Sequence, residues 1–242
     1  MFWKVKKTVT HKRDDEFPEL SGMSYYDFLE RALVKQSVHW YLEIGTRNGR
    51  SLNRCQSNYI AIDPEFNLSY NIINGAKNNL IFQQTSDDFF ASGVLSKLDI
   101  KPDAAFIDGM HLIEFVLRDF INCEANMNSR STIFLHDVCP YNYAQTTRDI
   151  TYMTELKQPW TGDVWKIIPI LQQYRPDLQI DIIDAKTTGF GVISNLDPNS
   201  QVLVNKFDEI MENFLHLTLN EYSADRYYDA ISLKSSSEYL AD

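Results

Sequence analysis

Short apolar runs alternate along this chain with longer segments whose apolar residues recur at the spacing of a helix face. The segment 23–36 places Tyr26, Leu29, Ala32 and Leu33 on one side and predicts a helix. An apolar run at 40–44 predicts the first strand, 48–56 a helix, and 59–62 a second strand. A third strand is expected at 80–83, and Ser86-Asp87-Asp88 is a good N-terminal cap for a helix through Leu95. Lys101-Pro102 interrupts the chain before a fourth strand at 104–107. Ile113, Val116, Leu117, Phe120 and Ile121 then mark a helix reaching about Asn126, and 132–135 predicts a fifth strand. After a looser aromatic stretch containing Cys139-Pro140 and Pro159, 164–174 reads as a helix. Strands are expected at 178–184 and 190–194, and their short join requires an antiparallel pair. The segment 202–217 predicts a C-terminal helix. The tail beyond it carries Tyr222, Tyr227, Tyr228 and Tyr239, to which the pattern assigns no role. Alternating strands and helices of this kind make an α/β fold with a mainly parallel sheet.

Composition narrows the class. The chain has 242 residues, 44% hydrophobic and 13% aromatic, enough for a large core and against disorder. A formal net charge of −10 argues against a nonspecific nucleic-acid binder, which needs a basic footprint. Lys4, Lys6, Lys7, Lys12 and Arg13 crowd the N-terminus, but no apolar segment of signal-peptide type follows, so a solvated arm is expected. No apolar run is long enough for a membrane span. Cys55, Cys123 and Cys139 form no C-x-x-C pair and suit reduced thiols in a cytoplasmic protein.

In open α/β sheets, ligands bind beyond the carboxyl ends of the strands. Polar residues gather at those ends here. The first strand ends in Glu43-Ile44-Gly45-Thr46-Arg47-Asn48-Gly49-Arg50-Ser51, and the second ends in Asp63. A glycine turn between two such strands suits a nucleoside-bearing cofactor, with the second carboxylate free to accept from two ribose hydroxyls. Asp63 stands before Pro64 and fits a turn as well. The dinucleotide pattern G-x-G-x-x-G is incomplete, and no Tyr-x-x-x-Lys pair supports an NAD-dependent oxidoreductase. The fourth strand delivers Asp108-Gly109-Met110-His111 and the fifth His136-Asp137.

The segment Glu43-x-Gly45-x-x-x-Gly49 resembles motif I of the class I S-adenosylmethionine-dependent methyltransferases, with Arg47 at the place of the middle glycine. Phe106-Ile107-Asp108-Gly109-Met110-His111, a helix, and Phe134-Leu135-His136-Asp137 look like one branch of that family, whose members act on sugars or natural products. The resemblance covers roughly 38–196. It implies a Rossmann-like, seven-stranded, mostly parallel sheet with an antiparallel last strand. A basic arm and helix over 1–37 and a helical extension over 197–242 would flank it. It also implies S-adenosylmethionine held by Glu43, Gly45, Thr46, Gly49, Ser51, Asp63, Ser86, Asp87 and Asp108, although capping explains Ser86 and Asp87 equally well.

In cation-dependent relatives an ion sits between acidic residues ending strands four and five, which correspond to Asp108 and Asp137 here. Mg²⁺ or another divalent cation would hold an acceptor hydroxyl in line with the methyl group. His136 in place of the usual first acid favours softer ions or none. A turn at Asp108-Gly109 and a cap at Asp137 are the structural alternatives. Asp108, His111 and His136 are the catalytic candidates. His111 suits a general base on a hydroxyl, or a partner in a buried polar network. Trp160 and Trp165, around Thr161-Gly162-Asp163, would line an acceptor pocket or pack as core. The expected partner is a small hydroxylated acceptor, with the arm and the tail as segments for homodimer contacts. The alternative is a noncatalytic cofactor-binding or scaffold protein.

Overall fold

A computed structural model describes residues 17–73, 78–151 and 159–241. The basic arm lies outside the described residues. Eight strands form one sheet: β1 (Trp40–Ile44), β2 (Asn58–Asp63), β3 (Asn79–Gln83), β4 (Ala104–Ile107), β5 (Thr132–His136), β6 (Gln179–Ile183), β7 (Phe190–Ser194) and β8 (Leu233–Lys234). Their order is β3-β2-β1-β4-β5-β7-β6-β8. Strands β1 to β5 pair in parallel, and β7 runs antiparallel to both β5 and β6. The α/β class and the reversed strand are as the sequence implied, but the count is eight rather than seven. The extra strand, β8, is two residues long, too short to leave a periodic signal, and pairs with β6.

Both faces of the sheet are covered, which is why its central strands read as continuous apolar runs. The period of two sorts them. Leu42, Ile44, Ile60, Ile62, Ala105, Ile107, Ile133 and Leu135 belong to one core, and Tyr41, Tyr59, Ala61, Phe106 and Phe134 to the other. Helix α1 (Tyr25–Lys35) buries Phe28, Leu29, Ala32 and Leu33 and is capped by Ser24, whose Oγ accepts from the Asp27 amide.

Two helical expectations before β4 need correction. The segment 48–56 yields only a 3₁₀ turn, Leu52–Arg54, because Gly49 holds a positive φ and the chain is extended again at Cys55. The helix expected after β3 divides into α2 (Ser86–Ala91) and α3 (Val94–Leu98) at Gly93, φ +63°, and its cap is Thr85 rather than Ser86. Helix α4 (Ile113–Asn126) starts after His111, which therefore stands in the loop beyond β4. Two 3₁₀ turns, Ala144–Thr146 and Val164–Lys166, precede α5 (Ile167–Tyr174).

The C-terminal segment forms two helices where one was expected, α6 (Val202–Asn205) and α7 (Phe207–Phe214). Then follow α8 (Leu219–Tyr222), α9 (Ala224–Asp229) and α10 (Ser236–Ala241). Leu203, Ile210, Phe214, Leu219, Ala224 and Tyr227 lie in the same core as α4 and α5. No helix among the described residues is long and apolar enough to cross a membrane.

Candidate functional site

The chain order reverses at β1, which has β2 on one side and β4 on the other. In open α/β sheets ligands bind at such a switch point, outside the carboxyl ends of the strands. The loop leaving β1 is shaped by three left-handed residues: Gly45 at φ +89°, Arg47 at +47° and Gly49 at +80°. A Cβ at Gly45 would collide with the Asp108 carbonyl, and one at Gly49 with Ile72. The two glycines thus allow close backbone approach between loops. Arg47 reaches the left-handed region without a glycine, at a cost of about 1 kcal/mol or more.

Glu43 is completely buried at the end of β1. The Tyr41 and Ser51 hydroxyls donate to its two oxygens at 2.7 and 2.8 Å. Burial pushes its carboxyl up to about 7, against those hydrogen bonds. The Thr46 hydroxyl lies near the same carboxylate but completes no hydrogen bond with it, leaving a buried polar atom unsatisfied. Asp63 accepts from the Arg47 amide at 2.7 Å through one oxygen and from the Glu65 amide at 2.8 Å through the other. It forms the turn at Pro64 and fixes the glycine loop, with lone pairs remaining on both oxygens. Ser86 and Asp87 lie on α2, against α4. Asp87 pairs with Arg118 at 3.0 Å. Ser86 lies near Asp119, whose carboxyl is pushed up to about 7 by burial and the Asp87 charge.

The tips of β4 and β5 bring four predicted residues together. His136 Nδ1 lies 3.2 Å from Asp108 Oδ1 and 3.4 Å from Asp137 Oδ1. His111 Nε2 lies 3.3 Å from Asp108 Oδ1, and its Nδ1 lies 3.3 Å from Asp137 Oδ2. Thr188 donates to Asp137 from the β6–β7 connection. Asp137 adopts φ +60°, a strained conformation for a non-glycine residue at a strand tip. Burial opposes charge on Asp108, His111 and His136, but the attraction of their neighbours outweighs it. His136 is raised to about 10 by Asp137 and Asp108, His111 is also raised, and Asp108 is held below its usual range. Donor atoms of Asp108, His111 and Asp137 lie within 4.8 Å of one another. Two carboxylates and an imidazole in that arrangement fit a divalent cation.

The wall beside His111 comes from the stretch after β5. The Trp160 carbonyl meets His111 Nδ1 at 2.8 Å, and the Trp160 ring stacks on the imidazole with centroids 5.3 Å apart. Because a carbonyl only accepts, Nδ1 carries a proton, while Nε2 faces the Asp108 carboxylate at 3.3 Å, so both ring nitrogens meet acceptors and the charged imidazolium is favoured. Asp163 donates its amide to the His111 carbonyl at 2.8 Å, and its carboxylate is held by Arg148 and by the buried Lys166. Trp165 is fully buried against Tyr222 and Tyr227 and is core, not pocket lining.

One residue of the site left no mark in the sequence pattern. Tyr25, first in α1, lies over His136 with ring centroids 3.9 Å apart, while Tyr26 lies on Tyr25 and Arg50 on Tyr26. The only local hint was an aromatic pair directly after the Ser24 cap.

Residues 42–138 match the family model described as a methyltransferase domain. No curated protein matches the sequence. Among solved structures, the chain is similar to a Staphylococcus aureus protein carrying the name caffeoyl-CoA O-methyltransferase. They share 13% identity over 70% of this chain and 81% of the other, with a TM-score of 0.50. An O-methyltransferase from Bacillus cereus, solved with S-adenosylhomocysteine, shares 12% over 76% and 92%, TM-score 0.49. The O-methyltransferase TomG from Streptomyces achromogenes, solved with S-adenosylmethionine, shares 14% over 77% and 92%, TM-score 0.48. At such identities the likeness bears on the fold.

Proposed function

We propose, from the premise that residues 42–138 form a methyltransferase domain of the class I S-adenosylmethionine-dependent family, that this protein methylates a hydroxyl of a small acceptor, a sugar or glycosylated metabolite. One observation carries the reading: Asp108, His111, His136 and Asp137 converge at the tips of β4 and β5, beside the glycine loop of β1. A methyl transfer to oxygen needs alignment and removal of one proton, and a buried acid–imidazole cluster supplies both.

S-adenosylmethionine, when bound, supplies the methyl group and leaves as S-adenosylhomocysteine. The glycine loop fits such a ligand, since the buried Thr46 hydroxyl has no protein partner and the Asp63 oxygens retain lone pairs. Glu43, Gly45, Thr46, Gly49, Ser51 and Asp63 would form its methionine and ribose side. Ser86 and Asp87 would lie towards the base. His111 would take the acceptor proton at Nε2 once that nitrogen has released the proton it holds towards Asp108, with its ring oriented by the Trp160 carbonyl and its charge balanced by Asp108 and Asp137. The Trp160–His111 stack walls one side of the cluster. A divalent cation held by Asp108, Asp137 and His111 would instead lower the hydroxyl pKa directly.

The test is transfer of labelled methyl to methyl glycosides and catechols. Asp108→Asn and Asp137→Asn are each expected to lower kcat/KM by at least ~100-fold. Loss of activity with EDTA assigns the cation, and full activity after chelation removes it. Wild-type rates in either variant would refute the assignment of the cluster.

A further inference from the structure

The in-plane contacts of His136 are all long: 3.2 and 3.4 Å from Nδ1 to Asp108 and Asp137, and 3.4 Å from Nε2 to Thr188 Oγ1. Asp108 and Asp137 hold the Nδ1 edge of the charged ring, but the imidazole χ2 is a broad sp³–sp² torsion, so contacts on the ring's faces also bear on its orientation. Phe106 and Phe190 stand off at 6.3 and 6.4 Å with steep interplanar angles. Tyr25 lies directly against it, centroid to centroid 3.9 Å at 37°.

Tyr25 is itself firmly held. The segment preceding α1 runs along the β6–β7 connection: the Gly22 amide donates to the Asp184 carbonyl at 3.1 Å, the Lys186 amide to Met23 at 2.9 Å, and the Tyr25 amide to Lys186 at 3.1 Å. The Met23 amide donates to Ser236 Oγ of α10 at 3.0 Å. A Cβ on Gly22 would collide with the Asp184 carboxylate, so only glycine lets the segment lie this close. On its other face Tyr25 carries Tyr26, centroids 3.9 Å apart, and the Arg50 guanidinium sits 4.3 Å over Tyr26. Arg50 belongs to the loop of Gly45 and Gly49. A continuous column, Arg50–Tyr26–Tyr25–His136, therefore joins the glycine loop to the tip of β5.

We propose that Tyr25 is a positioning residue for methyl transfer. Its ring fixes the orientation of His136, and the segment 22–26 forms a roof that ties the acceptor side of the site to the glycine loop. The inference rests on the methyltransferase reading. The Tyr25 hydroxyl also lies close enough to Asp108 and Asp137 to feel their charge, so Tyr25→Phe separates the role of the ring from that of the hydroxyl.

The experiment compares Tyr25→Phe, Tyr25→Leu and Tyr25→Ala in the full chain. Tyr25→Phe is expected to keep wild-type kcat, while Tyr25→Leu and Tyr25→Ala lower it by roughly 100-fold, the cost of a small misplacement. S-adenosylhomocysteine affinity should change less than about threefold, since the ring does not touch the glycine loop directly. Tyr25→Leu fills the same space, so it serves if Tyr25→Ala fails to fold. A second arm needs no acceptor. In histidine-labelled protein the His136 ring protons lie over an aromatic face, and their NMR signals should move downfield in Tyr25→Leu and hold in Tyr25→Phe. An unmoved His136 signal, or wild-type kcat in Tyr25→Leu, overturns the inference. Wild-type protein that neither binds S-adenosylhomocysteine nor methylates any probe overturns the methyltransferase reading instead.

Discussion

Glu43 shows how a single side chain ties the site to stability. Its carboxyl is fully buried and accepts from Tyr41 and Ser51, yet burial raises it from its ordinary 4.5 to about 7. Between those values the folded protein holds a proton that the unfolded chain has released. The contribution is therefore intact at low pH and lost as pH rises through the window. Glu43→Gln keeps the shape without the titration. Its stability relative to wild type should grow between about pH 5 and pH 8 by on the order of 3 kcal/mol. Urea unfolding at the two pH values checks this, and a constant difference would contradict it. Asp63 acts differently, because it fixes the Arg47 amide as well as ending β2. Asp63→Ala should raise the dissociation constant of S-adenosylhomocysteine at least ~10-fold, about 1.4 kcal/mol. Unchanged affinity by calorimetry would break the cofactor assignment.

At the level of elements, the strands were legible and the loops between them were not. Strands β1, β2, β4 and β5 sit where the apolar runs placed them, because burial on both faces demands such runs. Their polar tips were equally visible, since a run that ends in Glu43, Asp63, Asp108 or His136-Asp137 marks where burial ends. The helix expected at 48–56 failed because the backbone at Gly49 serves loop packing rather than helix initiation. Tyr25 and the Trp160 carbonyl reach their histidines through contacts distant in sequence, which periodicity does not record. The glycine loop gives a direct test. Gly45→Ala forces a Cβ into the Asp108 carbonyl at a positive φ, and should cost roughly 3 kcal/mol or more. A melting temperature equal to wild type would show that the two loops do not touch as described.

Across the whole molecule, the tyrosine-rich tail takes on a structural meaning that its sequence did not disclose. Tyr227 is buried against Trp165 and donates to the Val138 carbonyl at 2.6 Å, and Tyr228 donates to Pro140. Both hydroxyls thus hold the chain just beyond Asp137. Tyr227→Phe should cost about 1 kcal/mol and Tyr227→Ala about 4 kcal/mol. Equilibrium unfolding would measure both, and a neutral Tyr227→Ala would mean the tail is not part of this core. Sheet, glycine loop and β4–β5 cluster together make one claim, that the switch point takes S-adenosylmethionine. Isothermal titration of S-adenosylhomocysteine into the full chain, with and without Mg²⁺, tests it most directly. One site of roughly micromolar affinity, about −8 kcal/mol, is expected, strengthened by Mg²⁺ if Asp108 and Asp137 hold the ion. No heat of binding in either condition, from a folded protein, would contradict it.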